Sequence, residues 1–382
     1  MSEVGVAVIG TGFIGPVHVE ALRRLGIPVV GILGSRPERS REAAERLGVA
    51  QGYASLEALL TDDRATVVHI TSPNQAHYEQ AKRCLLAGKH VVCEKPLAMN
   101  SAQTAELMSV AAQSGKVAAV NYNLRFYPLV IEARERIRRG DLGHVFHVSG
   151  GYAQDWLLYE TDFNWRVLAE QAGETRAIGD IGTHWMDLVC HITGLEIEAV
   201  CADLATFLPV RQRPRGSVQT FTGAHVRVET TPVQIDTEDY GSVLLAFRGG
   251  ARGVFTVSQV TAGRKNSVRF ELAGARGALA WDGERPNELW LGHRERPNEL
   301  LLKDPSLLSE AARLAASYPG GHNEGFPDTF KQLYQAIYAD VRAGKPAEHP
   351  VYPTFADGHR EVLLCEAILR SHRERRWLRV GE

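Results

Sequence analysis

The hexapeptide Gly10-Thr11-Gly12-Phe13-Ile14-Gly15 lies between the apolar run Val4–Ile9 and a helical stretch, Val17–Leu25. A G-x-G-x-x-G turn joining a buried strand to a helix constrains the fold more than any other segment of the 382 residues. Gly10 permits the tight turn, Gly12 lets backbone approach a pyrophosphate, and Gly15 lets helix and strand pack closely. The helix start, with Phe13 and Ile14, adds free N–H groups and a partial positive charge for phosphate oxygens. The residues that follow supply the βαβ setting such a turn needs. Val29–Leu33, Val67–Thr71, His90–Cys93 and Val117–Asn121 read as strands, and Pro37–Leu47, Leu56–Leu60, Gln75–Ala87 and Ser101–Ser114 as helices. This alternation predicts an α/β fold whose first domain, residues 1–122, is a doubly wound parallel sheet with right-handed crossovers.

Beyond residue 122 the rhythm changes. Two helical segments, Leu129–Arg139 and Ile181–Thr193, precede strands at Val200–Phe207, His225–Glu229, Gly241–Phe247, Gly253–Gln259, Val268–Ala273 and Gly277–Asp282. Strands in succession predict a mostly antiparallel sheet, so residues 123–382 form an α+β second domain. The sequence ERPNEL occurs at Glu284–Leu289 and again at Glu295–Leu300, which suits a duplicated hairpin. The Arg/Pro-rich stretch Leu208–Ser217 reads as a solvated loop, and helices at Phe326–Arg342 and Phe355–Arg373 close the chain.

Composition narrows the function classes. Lys and Arg total 43 against 45 Asp and Glu, with mixed signs, so neither nucleic acid nor an anionic membrane is expected as a partner. No apolar run approaches the ~20 residues that span a bilayer. The N-terminus has no basic leader, and five scattered cysteines (Cys84, Cys93, Cys190, Cys201, Cys365) suit reduced, buried thiols in a cytoplasmic protein.

The second strand bears on which dinucleotide binds. An NAD site carries Asp or Glu about 20 residues after the glycine turn, on the ribose 2′-OH. Here that place holds Ser35, followed by Arg36 and Arg39. A hydroxyl with two guanidinium groups suits a 2′-phosphate, which favours NADP over NAD; the alternative for both arginines is an exposed helix start. Strand His90–Cys93 runs into Glu94-Lys95-Pro96, so Lys95 falls at a strand's carboxyl end, where ligands sit. An amine there, partly desolvated beside a cationic ring, can polarise or deprotonate an alcohol. In Gly179–Asp187, Asp180 and His184 are helix neighbours at i and i+4, and Asp187 and His191 extend the same stripe. A metal site on that stripe is imaginable, but no cysteine joins it and nicotinamide chemistry needs none, so no metal is expected. Asp180 and His184 read as an acid–base pair, with the imidazole titrating near neutrality.

Taken together, the chain resembles the Gfo/Idh/MocA family, the glucose–fructose oxidoreductase and inositol dehydrogenase group. The likeness rests on Gly10–Gly15, on Thr71-Ser72-Pro73-Asn74 with His77, on Glu94-Lys95-Pro96 and on Gly179–His184 continuing to Asp187, in the family's order along essentially the whole chain. It implies a Rossmann first domain and a second domain whose open sheet joins a homodimer or tetramer. It implies Lys95, Asp180 and His184 as the catalytic set, also touching substrate. It implies Thr71, Ser72, Pro73, Asn74 and His77 along the cofactor, Glu94 and Lys95 near the nicotinamide ribose, and Asn123 beside the ring. Trp165-Arg166 resembles the family's cofactor contact. Tyr122 and Arg125, and the segment with Asp155 and Trp156, are the expected substrate contacts, an aromatic and polar set suited to a pyranose. Ser35 departs from inositol-dehydrogenase-like members, which usually carry an acidic residue there.

The function this implies is hydride transfer between NAD(P) and a CH–OH group of a sugar, polyol or inositol. Two rivals differ in what they release. An enzyme that oxidises a sugar transiently on tightly bound NAD, as a glycosidase or epimerase, would show bound dinucleotide without net NADH. A metabolite sensor would change its association state without turnover.

Overall fold

The computed structural model describes residues 4–215 and 229–382. Strands β1 (Val6–Ile9), β2 (Val29–Leu33), β3 (Val67–Ile70), β4 (His90–Cys93) and β5 (Ala118–Val120) form one parallel sheet in the order β2–β1–β3–β4–β5. β1, β3 and β4 are buried at every position, as strands covered on both faces must be. The crossovers are α1 (Ile14–Arg24), α2 (Pro37–Leu47), α3 (Leu56–Leu60), α4 (Asn74–Leu86) and α5 (Ser101–Ser114). Local signals set their ends: Pro37 opens α2, Gly48 closes it at φ 59°, and the Asn100 side chain caps α5. α1 begins at Ile14 rather than at the expected Val17, so the glycine turn abuts its N-terminus directly.

The remainder runs α6 (Pro128–Arg139), β6 (Val145–Ala153), α7 (Ala169–Ala172), α8 (Thr183–Thr193), β7 (Ile197–Ala205), β8 (Val210–Pro214) and β9 (Thr230–Gln234). Then come β10 (Tyr240–Phe247), β11 (Arg252–Ser258), β12 (Ser267–Gly274), β13 (Ala278–Asp282), β14 (Glu288–Gly292) and β15 (Glu299–Leu302). Helices α9 (Glu310–Ala315), α10 (Phe326–Ala343) and α11 (Phe355–Glu374) precede the short β16 (Leu378–Arg379). A nine-stranded sheet has the order β15–β14–β13–β12–β6–β11–β10–β7–β16, antiparallel at every pair except β6–β11. The two ERPNEL copies lead into β14 and β15, which pair as a hairpin.

Three expectations change, and a fourth lies where the structure is not described. β6 was not expected, because Ser149-Gly150-Gly151 dilutes its β signal. Its glycine is needed: a Cβ on Gly150 would stand 2.1 Å from the Arg269 carbonyl and 2.9 Å from the Trp185 indole nitrogen. The stretch read as a solvated loop contains strand β8, and its Arg211 is fully buried because Asp239 binds it at 2.9 Å. The strand expected at His225–Glu229 lies, through residue 228, outside the described residues. Of the five thiols, Cys201 is only half-buried.

Helices α6, α8 and α11 cover one face of the large sheet around Trp185, Phe255, Phe270, Leu272 and Leu364. Among the described residues its other face is uncovered, with Leu244, Val254 and Leu300 exposed. Helix α10 turns back to the first core, where Phe330, Leu333, Tyr334, Ile337 and Tyr338 pack with Val8, Val19, Leu22 and Val67. Among the described residues no helix is long and apolar enough to cross a membrane.

Candidate active site

The glycine turn has the close contacts its residues require. A Cβ on Gly10, whose φ is +111°, would meet Thr71 Oγ1 at 2.4 Å, and one on Gly15 would meet the Gly10 carbonyl at 2.4 Å. Gly12 faces open space, with nothing within 4 Å of a Cβ. These glycines border a cleft of about 810 Å³ along the carboxyl ends of the parallel strands. Its wall includes Phe13, Ile14, Ser35, Thr71, Ser72, Pro73, Asn74, Glu94 and Lys95 from the first domain. Asn123, Trp165, Arg166, Asp180 and His184 close it from the other side. From Ser35 after β2 to Lys95 after β4 a ligand crosses three strand spacings, about 14 Å, a distance a dinucleotide spans. The residues therefore fit a dinucleotide with phosphates at Gly12, adenosine towards Ser35 and nicotinamide towards Lys95.

Lys95 and Asp180 meet across the two domains. Lys95 Nζ donates to Asp180 Oδ1 and to the Asp180 carbonyl, each at 2.8 Å. Gln259 Nε2 donates to Asp180 Oδ2 at 2.8 Å, and Arg166 Nε lies 3.5 Å from Oδ1. Burial opposes ionisation of Asp180, yet Lys95 and Arg166 hold it well below the usual carboxylate range. Arg166 also lies over the Trp165 ring at 4.5 Å.

Asp180 makes no hydrogen bond to His184, so the expected acid–base pair is instead an amine–carboxylate pair beside an imidazole. The cause is local. Ile178–Gly182 form a π turn, whose i→i+5 bonding takes Asp180 off the stripe that α8 begins at Thr183. Glu238 holds this turn, accepting from Arg176 N and Ile178 N at 2.8 Å each. His184 packs edge-on against Tyr122 at 5.6 Å, and its buried Nδ1 has no hydrogen-bond partner. Burial, with Lys95 adding to it, pushes His184 down to about 3 rather than near neutrality. The free protein thus presents a neutral imidazole at pH near 7.

Other expected site residues are placed differently. Asp187 and His191 leave the cleft: Asp187 is buried against Arg125, which also binds Asp357 at 2.8 Å. Arg125 is thereby committed to an ion cluster and does not border the cleft. Tyr122 is fully buried behind His184. His77 spans two loops, with its ring nitrogens 2.8 Å from the Pro96 and Ser72 carbonyls. Asn74 Nδ2 donates to the Ala172 carbonyl at 2.8 Å and Asn123 Nδ2 to Thr329 Oγ1 at 2.7 Å, so both also tie the walls together. Arg36 and Arg39 are exposed beside Ser35 on the first turn of α2, with Arg39 3.5 Å from Glu42. Asp155 pairs with Lys265 at 2.7 Å, and Trp156 donates to Gln154 Oε1 at 2.9 Å. Neither borders the cleft. Tyr152, Gln154 and Asn266 do, joined by Tyr152 and Gln154 donating to Asn266 Oδ1 at 2.5 and 3.0 Å. Gln154 opens the aromatic and amide stretch expected to meet a sugar, whereas Tyr152 and Asn266 escaped the sequence reading because the segment carrying Asn266 is remote in the chain. Gln259, at the end of β11, was missed for the same reason.

An open α/β sheet with a glycine-turn cleft at its carboxyl ends, and an amine and imidazole at the far end, is the arrangement of a nicotinamide-dependent oxidoreductase. Residues 4–122 match the oxidoreductase family with an NAD-binding Rossmann fold, and residues 130–280 match the Gfo/Idh/MocA C-terminal domain. The chain belongs to the Gfo/Idh/MocA family. Levoglucosan dehydrogenase of Pseudarthrobacter phenanthrenivorans is 28% identical, aligned over 100% of this chain and 99% of that protein. Myo-inositol 2-dehydrogenase of Thermotoga maritima is 24% identical over 99% and 98%. Among solved structures, an oxidoreductase domain protein from Kribbella flavida superposes with a TM-score of 0.89 at 30% identity, covering 100% of both chains. A levoglucosan dehydrogenase complex with NADH and levoglucosan gives 0.87 at 27% identity, covering 99% of this chain and 100% of that one.

Proposed function

We propose that the protein transfers hydride between NADP(H) and a CH–OH group of an uncharged sugar or cyclic polyol, and that it works in the cytoplasm. The observation that carries the reading is the Lys95–Asp180 pair beside a neutral His184 in the dinucleotide cleft. The dinucleotide, when bound, accepts or gives up the hydride. The chain's residues manage the proton. Lys95, oriented by Asp180, points a cation at the substrate hydroxyl and favours its ionisation. His184 takes the proton in oxidation and returns it in reduction. Tyr152, Gln154 and Asn266 offer the hydroxyl and amide groups that neutral sugar hydroxyls pair with. In this reading residues 1–122 are the dinucleotide unit and 123–382 the substrate and oligomer unit, with α10 lent back to the first core. Pyranoses, inositols and 1,5-anhydro sugars incubated with NADP and NAD should yield reduced dinucleotide, read by absorbance, for at least one member. Bound dinucleotide with no net reduction across the panel would overturn the reading in favour of transient oxidation.

NADP is favoured because no carboxylate sits at the end of β2, where Ser35 borders the cleft and Arg36 and Arg39 are exposed, Arg39 beside Glu42 at 3.5 Å. Arg46 adds a cation near the turn, 3.5 Å from the Thr11 carbonyl. Ser35→Asp sets a like charge against a 2′-phosphate, so the NADP/NAD ratio of kcat/KM should fall by roughly 10²-fold. An unchanged ratio would remove the 2′-phosphate assignment.

The open sheet face supports a homo-oligomer. Cys201, Leu244, Val254, Ser149, Glu271, Ala280, Trp290 and Leu300 form one register row across β7, β10, β11, β6, β12, β13, β14 and β15. Leu244, Val254 and Leu300 are exposed along it, as is Phe146. A broad face carrying these exposed apolar side chains among polar ones such as Ser149 and Glu271 is a surface a second copy would cover. Leu244→Glu with Val254→Glu should convert a dimer or tetramer to a smaller species in light scattering; an unchanged mass, or a monomeric parent, would refute it.

A further inference from the structure

Behind the cleft a string of buried polar groups runs from the end of β4 into helix α10. Glu94 Oε1 lies 3.0 Å from His18 Nε2, and His18 Nδ1 lies 2.9 Å from His69 Nδ1. His69 Nε2 is in turn 2.9 Å from the Tyr338 hydroxyl. His18, His69 and Tyr338 are fully buried, and the Tyr334 ring packs against both imidazoles. His18, His69 and Tyr338 make no hydrogen bond to Lys95, Asp180 or His184; Glu94 alone joins that group, accepting from the Lys95 backbone N–H at 3.2 Å.

Hydrogen accounting gives the string a direction. A phenol always carries its own hydrogen, and the Tyr338 hydroxyl has no other hydrogen-bond partner among the described residues. It therefore donates to His69 Nε2, which places the His69 hydrogen on Nδ1. His69 then donates to His18 Nδ1, and His18 donates from Nε2 to Glu94, which accepts as a carboxylate. Reversing the order would protonate Glu94 and leave the phenol hydrogen without an acceptor in the core. Asn121 Nδ2 donates to the same Oε1 at 2.5 Å. The electrostatics agree with this order. Burial keeps His69 neutral, and the His18 donor holds Glu94 below its ordinary value although burial opposes it.

We propose that Tyr338, His69 and His18 are positioning residues that keep Glu94 ionised at the nicotinamide end of the cleft, so that the oxidised cofactor binds more tightly than the reduced one. The proposal rests on the dinucleotide reading of the cleft. Glu94 borders it one residue before Lys95, at the strand end assigned above to the ring. The titratable groups around Glu94 are His18, Lys95, His77, His184, Cys93 and Tyr334, the last two neutral because burial and Glu94 push them up. Lys95 is bonded to Asp180, so its charge is compensated there, and Glu94 remains the uncompensated anion. An oxidised nicotinamide ring is cationic and a reduced one is neutral. A carboxylate held ionised in this dry wall therefore favours the oxidised form, and makes the reduced form the readier hydride donor. By linkage, the oxidised cofactor reinforces the same hydrogen order.

Tyr338→Phe tests this from the far end of the string, on α10 and away from the cleft. Dissociation constants for NADP⁺ and NADPH are measured separately on the full-length protein by calorimetry, with NAD⁺ and NADH alongside. The variant should weaken binding of the oxidised form by about 3–10-fold, equivalent to about half to one pK unit of interaction, and leave the reduced form nearly unchanged. Glu94→Gln should shift the same ratio further in the same direction. Equal weakening of both forms, or no change in either, would mean the string only packs the core and would overturn the proposal. If Tyr338→Phe does not fold, the Glu94→Gln ratio decides. Absence of any dinucleotide binding by the parent protein would overturn the cleft reading itself, a separate and recognisable outcome.

Discussion

Replacing Lys95 by alanine lowers turnover by about 10²–10⁴-fold, the usual worth of one acid–base group, while dinucleotide affinity changes little. Lys95 is the cation that Asp180 aims into the cleft from the opposite domain, through two bonds of 2.8 Å. The variant should keep its fold, because Asp180 retains Gln259 at 2.8 Å and Arg166 at 3.5 Å to offset its buried charge. His184→Ala should fall in the same range, and the double variant little lower, since both groups handle one proton. Steady-state turnover set beside a dinucleotide titration separates chemistry from binding. Full activity in both single variants would discard the proton-handling mechanism.

Asp239→Ala is expected to cost about 3–5 kcal/mol of stability and to lower the thermal midpoint by on the order of 10 °C. Asp239 is fully buried between two fully buried arginines, Arg176 and Arg211, and its second oxygen accepts from Leu208 N at 2.9 Å. Removing it leaves two buried guanidinium groups close together without the carboxylate they share. Activity should fall with folding, because Arg176 opens the segment that carries the π turn and Asp180. The pH dependence has a definite sign. Burial works against ionisation of Asp239, and Arg176 with Arg211 still hold it below its ordinary value. That contribution is present above the unfolded value, about 4, and is lost as pH falls below it. A parent-like melting midpoint for the variant would show that the arginines find other partners and that the cluster is not what holds this segment.

How much of this was legible beforehand differs from element to element. The strands and helices of the first 122 residues were readable because parallel strands buried on both faces are continuous apolar runs between amphipathic helices. Boundaries such as Pro37–Leu47 and His90–Cys93 were correct to the residue. β6 was invisible because its glycines serve tight packing, Gly150 against Trp185 and Gly151 against Thr256, contacts that leave no periodic trace. Arg211 looked like surface charge because a lone arginine carries no mark of the carboxylate, 28 positions away, that buries it.

The same division runs through the site. Local chemistry, written in contiguous residues, was decided by the sequence alone: a glycine turn at a helix start, a lysine at a strand end, an aspartate and a histidine one turn apart. What those groups do to one another was decided only in three dimensions. The π turn assigns Asp180 to Lys95 instead of His184, and burial together with the neighbouring amine holds that imidazole neutral. Hydrogen bonds and electric fields depend on distances of a few ångströms between segments remote in the chain, and chain order does not encode those distances locally.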